Sequence, residues 1–217
     1  MSNILVLAPH MDDEVLGCGG SIAKHAASNN RVFVAYVASG KDPAEAATRE
    51  AEALEVCLSL GAETPFFLRQ DPASIDEHAI QDVVRIIRSE KINFIYAPHK
   101  DDGDLHHEKV HDMASRVHWL ANGTAYPPIP GQGQVQGLLF YEIHRPIQDV
   151  HYLEDITPFV EKKREAMRIY ASQTGTPWAE GILGLNRYRG TMSELFPYAE
   201  AFQVKGLRNL DFHARKC

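Results

Sequence analysis

The chain has 217 residues, 44% apolar and 24% charged, with a formal net charge of −7 and a pI near 5.9. That size and balance fit one α/β domain with a full core and argue against disorder across the chain. The acidic balance also argues against a general nucleic-acid binder, which needs a basic stripe on its surface.

Ile4 to Ala8 is continuously apolar and β-rich, as a buried parallel strand should be, and Pro9 ends it. Val15 to Ala27 reads as a helix that stops near Ser28-Asn29-Asn30, and Val32 to Ala38 as a second buried strand. Ala47, Ala51, Leu54 and Leu58 keep helical spacing on one face, with Gly61 placed as a C-terminal cap. Phe66 to Leu68 is a short third strand. Ser74 and Glu77 read as a capping box ahead of Ile80, Val83, Val84 and Ile87 at helical spacing. Phe94 to Ala97 is a fourth strand, and Leu138 to Tyr141 another. A helix follows from about Pro158 to Tyr170, and its Lys162, Lys163 and Arg164, flanked by acids, read as a solvated face. The alternation predicts a Rossmann-like doubly wound, mostly parallel sheet with helices on both faces. We expect a single domain over residues 1–217, with residues 121–137, rich in Gly, Pro and Gln, as a flap.

Three cysteines, Cys18, Cys57 and Cys217, form no disulfide framework. The first residues lack the basic and long apolar regions of a secretory signal, and no stretch approaches the ~18 apolar residues of a membrane span. The expectation is a cytoplasmic protein without membrane or nucleic-acid partners. The assembly state stays open, a homo-oligomer included.

Two polar clusters carry the chemistry. Pro9-His10-Met11-Asp12-Asp13-Glu14 follows the first strand, and Pro98 to Glu108, which includes His99, Asp102, Asp104, His106 and His107, follows the fourth. Open α/β sheets place ligands at the carboxyl ends of such strands. One cluster alone reads equally well as a polar turn opening an acidic helix N-terminus. Two at matching strand ends point to a shared cation. An imidazole and a carboxylate from one turn plus an imidazole from the other leave a position for water, the pattern of catalytic zinc. The same donor set suits iron(II). A dinucleotide-binding reading of Gly17-x-Gly19-Gly20 fails, because His10 to Glu14 occupy the turn where the glycines would have to stand.

These residues resemble the PIG-L/LmbE family of N-acetylglucosaminyl deacetylases. His10-x-Asp12-Asp13-Glu14 is similar to the family's first motif, which is usually Ala-His-Pro-Asp-Asp-Glu. Asp102-Gly103-Asp104-Leu105-His106-His107, with Val110 beyond it, is similar to the second. Tyr141-Glu142, Asp155-Ile156-Thr157, Lys163, Tyr170 to Gln173, Asn186 to Gly190 and Tyr198 to Phe202 extend the likeness over roughly residues 3–204. The resemblance implies a hydrolase that removes an N-acetyl or other acyl group from an amino sugar or related small glycoside. It implies His10, Asp13 and His107 as ligands of Zn2+ (or Fe2+), Asp12 as the general base, and Arg49 near the substrate. Asp104 stands where many members carry the histidine that polarises the carbonyl, and His106 where they carry Asp. His106 or His99 is then left to supply the missing donor. An amidase of larger acyl groups and a non-catalytic sugar- or metal-binding member stay open as alternatives.

Overall fold

The computed structural model describes residues 1–124, 129–173 and 176–207. Seven strands form one sheet in the order β3-β2-β1-β4-β5-β7-β6. β1 (Asn3–Ala8), β2 (Arg31–Tyr36), β3 (Phe66–Phe67), β4 (Phe94–Pro98) and β5 (Gly137–Tyr141) run parallel. β7 (Ala199–Lys205) lies antiparallel between β5 and β6 (Tyr152–Asp155). The mostly parallel doubly wound sheet is therefore as expected, with an antiparallel edge that the sequence reading did not assign.

Helices cover both faces because the strands are apolar on both. Ile4, Val6 and Ala8 pack on α1 (Asp13–Ala27), α2 (Pro43–Leu60), α5 (Val160–Ile169) and α6 (Thr176–Met192). Leu5 and Leu7 pack on α3 (Glu77–Ser89) and α4 (Leu105–Asn122). The order reverses between β1 and β4, and a crevice opens at their carboxyl ends, where such sheets bind ligands. β1 leads into α1 and β4 into α4, so both polar clusters meet at this crevice. α1 approaches the sheet closely: a Cβ on Gly17 would stand 2.2 Å from the Tyr141 ring. The glycines of that helix thus serve packing.

Three local expectations change. α2 buries Ala53, Val56, Cys57 and Leu60, while Leu54 and Leu58 are exposed. This helix has two apolar stripes, and the one carrying Val56 and Cys57 packs against α5, α1 and the Tyr36 hydroxyl. Gly61, at φ 83°, does cap it. No Ser74–Glu77 capping box forms: Asp76 caps α3 by accepting the Ala79 N–H, and Ser74 lies in a short 3-10 turn. Lys163 is not solvated but fully buried, its ammonium donating to Glu200 and to the Leu16 carbonyl. Glu200 also accepts from the backbone N–H groups of Gly20 and Ser21, so the buried pair ties β7, α1 and α5 together.

Residues 125–128 of the expected flap lie outside the described residues. The remainder connects the far end of α4 to the start of β5, at the opposite end of the strands from the crevice. Arg88 there donates to the carbonyls of Leu120, Ala121, Gly123 and Ile129, and Ile129 and Val135 are buried. No described helix is long and apolar enough to cross a membrane.

Candidate metal centre

His10, Asp13 and His107 converge in the crevice. Asp13 Oδ2 lies 3.2 Å from His10 Nδ1 and 3.3 Å from His107 Nε2. Tetrahedral zinc with bonds of about 2.0–2.1 Å separates its donor atoms by roughly 3.4 Å. His107 Nε2 is buried and has no hydrogen-bond partner of acceptable geometry among the described residues. An orphaned ring nitrogen beside a carboxylate and a second imidazole, at that spacing, fits a divalent cation.

The local chain explains the convergence. Asp13 opens α1, and Asp12 precedes it at φ 143°, a conformation that side-chain-bearing residues rarely adopt. Asp104 caps α4 by accepting the N–H groups of His106 and His107, which fixes His107 in the first turn. Asp102 then sets the His107 ring. Its Oδ2 accepts from His107 Nδ1 at 2.6 Å, so the proton of the neutral ring sits on Nδ1 and Nε2 keeps its lone pair for the cation.

Asp102 does more than this. Oδ2 also accepts from His144 Nδ1 at 2.9 Å, and Oδ1 accepts the backbone N–H groups of Ile143, His144 and Arg145. The His144 ring stacks on His107, centroids 4.7 Å apart. The sequence reading missed His144, which lies in the loop after β5. A lone His three residues beyond a strand carries no spacing signal. Arg189 holds the same loop by gripping Glu142 with two donors and the Ile147 carbonyl with one.

The electrostatics follow from burial among charges. Burial works to lift the Asp13 carboxyl, but the His107 charge and bonds from His10 and His107 outweigh it and hold it below the usual carboxylate range. Burial disfavours the charged His107 ring, yet Asp13 and Asp102 push it up to about 10. The proton on His107 therefore occupies the place of a positive charge that a cation would supply, and cation and proton compete for the site. Asp12 has the opposite fate: burial, then the neighbouring Asp13 and Glu14 charges, push its carboxyl well up, against a smaller pull from Arg49 and His107.

A cleft of about 360 Å³ opens over this cluster, lined by His10, Asp12, Asp13, Leu16, Asp104 and His144, with Arg49, Ser172, Gln173 and Trp178 also on its wall. Arg49 pairs with Glu45 through one nitrogen, while its buried Nε finds no partner among the described residues. Gln173 Nε2 is likewise unpartnered among them. His106 and His99 do not line the cleft. His106 Nδ1 bonds His10 Nε2 at 2.8 Å, and His99 Nε2 bonds the Arg145 carbonyl. Asp104 is at the cleft, but as a helix cap, and hydrogen bonds from the His106 and His107 backbone together with the His107 charge hold it ionised against the effect of burial. Glu14 accepts the Tyr170 hydroxyl and the Asp12 N–H.

The model of the GlcNAc-PI de-N-acetylase (PIG-L) family matches residues 5–118, more than half of the chain and both polar turns. The chain belongs to the PIG-L family. Several solved structures share its fold. The N,N'-diacetylchitobiose deacetylase of Pyrococcus horikoshii is 21% identical (TM-score 0.80), with 99% of this chain and 87% of that one covered. The conserved protein TT1542 of Thermus thermophilus is 24% identical (TM-score 0.84; 99% and 100%). GalB of Pseudomonas putida, a 4-carboxy-2-hydroxymuconate hydratase, is 21% identical (TM-score 0.85; 97% and 100%). The PIG-L fold thus hosts deacetylation in one neighbour and hydration in another, and the reaction has to be argued from the site.

Proposed function

We propose that this PIG-L member is a metal-dependent hydrolase that cleaves the acyl–nitrogen bond of a small N-acylated amino sugar, acetyl being the smallest acyl group. The observation that carries this reading is the buried, unpartnered Nε2 of His107 at ligand spacing from Asp13 and His10, with Asp12 beside it. A zinc or iron(II) ion held by those three side chains would acidify water and polarise a carbonyl.

The chain's own residues do the rest. Asp12, its proton affinity raised by burial and by two neighbouring carboxylates, takes a proton from the attacking water. The water oxygen bonds the acyl carbon, the carbon–nitrogen bond breaks, and Asp12 returns the proton to the departing amine. His144 takes the part of carbonyl polariser that Asp104 cannot play, since an ionised cap donates nothing. Its Nδ1 is spent on Asp102, and that bond raises its affinity for a second proton, so Nε2–H can face the developing oxyanion. Arg49, Ser172 and Gln173 line the same cleft and give the hydroxyls of the amine half polar partners.

The test is to purify the protein without chelator, quantify bound metal, and screen N-acylated amino sugars for free amine. Stoichiometric metal with amine release supports the reading; no metal uptake by the intact protein overturns it. A second reading, addition of water to a carbon–carbon double bond of a carboxylate substrate, is favoured by Asp104 in place of a donor and by the Arg49 guanidinium on the cleft wall. Loss of the ultraviolet absorbance of a conjugated hydroxy-acid, with no amine released from the panel, would select it.

A further inference from the structure

Beside the metal cleft lies a second cavity of about 430 Å³, formed by Ile143, Pro146, Pro177, Gly181, Ile182 and Leu185. The two cavities share the His144 and Trp178 side chains as a common wall. The Trp178 ring stands edge-on to His144, centroids 5.1 Å apart. The contrast between the two is chemical. The metal cleft is lined mostly by polar side chains, among them Asp12, Asp13, Arg49 and Asp104, with Leu16 its one aliphatic residue, while the second cavity presents aliphatic side chains and two prolines. Trp178 is 48% exposed and Ile182 is buried, so the apolar lining runs from the core out to an open mouth.

We propose that this cavity is an acyl subsite and that the substrate is an amide whose acyl chain is longer than acetyl. The inference rests on the hydrolase reading and on His144 at the carbonyl oxygen. A chain attached to the carbonyl carbon passes His144 first, and the space behind His144 is this cavity. The amine half stays with the polar lining of the metal cleft, where a sugar's hydroxyls find donors and acceptors. An acetyl group would leave the cavity unfilled and its aliphatic wall in contact with water. Each methylene buried against it contributes enough to tighten binding about fourfold.

The two readings separate when binding is measured without turnover. Alkyl hydroxamates from acetyl to octanoyl anchor on the metal and extend their chain as the acyl group would. On the metal-loaded protein, affinity is expected to rise with chain length, by roughly 100-fold or more from two to eight carbons once about four methylenes are buried. Gly181→Leu supplies the control. Gly181 lines the cavity and a Cβ there meets nothing within 4 Å, so a larger side chain fits at the cavity wall without displacing the helix. In that variant acetohydroxamate should bind as before, while the gain from chain length is lost. If acetohydroxamate itself fails to bind, the hydrolase reading falls. Acetohydroxamate bound with no gain from longer chains overturns the acyl subsite alone. So does a gain seen only with an octyl glycoside of N-acetylglucosamine, which would give the cavity to the aglycone.

Discussion

Asp102 is a carboxylate that no substrate reaches, yet Asp102→Asn should disable the metal centre. The side-chain carbonyl of Asn can keep Oδ1's three backbone partners, Ile143, His144 and Arg145. An NH2 group then replaces Oδ2, and it faces His107 Nδ1 at 2.6 Å and His144 Nδ1 at 2.9 Å. Two donors meet two donors unless both rings move their proton to Nε2. On His107 that is the atom aimed at Asp13, so the tautomer that relieves the clash cannot bind a cation. Losing such an outer partner typically weakens metal binding 10–100-fold, about 1.4–2.7 kcal/mol. The assay is competition for zinc against a chromophoric chelator at pH 7.5, after circular dichroism has shown the variant folded. A folded Asp102→Asn protein that holds zinc as tightly as the parent would refute the argument that Asp102 sets the His107 tautomer.

Asp12→Asn should keep its metal, because the three ligands are untouched, but lose at least ~100-fold in turnover of whichever amide the panel identifies; retained activity removes Asp12 from proton transfer. His144→Phe preserves a ring to stack on His107 and removes the donor, so turnover should fall by roughly 10²–10³ with metal content unchanged. Glu14 supplies a stability test. Burial pushes its carboxyl from 4.5 up to about 7, so between those values the folded state holds more protons than the unfolded one. Its contribution, on the order of 3 kcal/mol, is complete below about pH 4.5 and is lost as pH rises through 7. Urea midpoints of the chelator-treated protein at pH 5 and pH 8 should therefore differ more for the parent than for Glu14→Gln, and equal differences would count against a proton on Glu14.

What could be read from the sequence was whatever is local. The β1 and β4 runs and the turns after them declare themselves within a short window, and the family motifs sit on those turns. That His10, Asp13 and His107 meet was legible for the same reason, with the second histidine placed by the second motif. Features decided by distant chain were not legible. Lys163 looked solvated because its partner Glu200 lies 37 residues on, and His144 was invisible because Asp102, which orients it, lies 42 residues back. On α2 both apolar stripes satisfied the same periodicity, and only the packing against α5 and α1 could choose between them. At α3 the box pattern of Ser74 and Glu77 lost to Asp76, which stands directly before the first helical residue and reaches the Ala79 N–H.

The backbone at Asp12, with φ 143°, carries a further consequence. A non-glycine residue held in such a conformation costs about 1–3 kcal/mol. Glycine at this position would shed that burden along with a buried, crowded carboxyl. On the hydrolase reading, thermal tolerance and turnover are therefore set against each other at a single codon. Melting temperature should rise in Asp12→Gly while amide cleavage disappears, and directed evolution for heat resistance alone would drift toward an inert scaffold that still loads its ion.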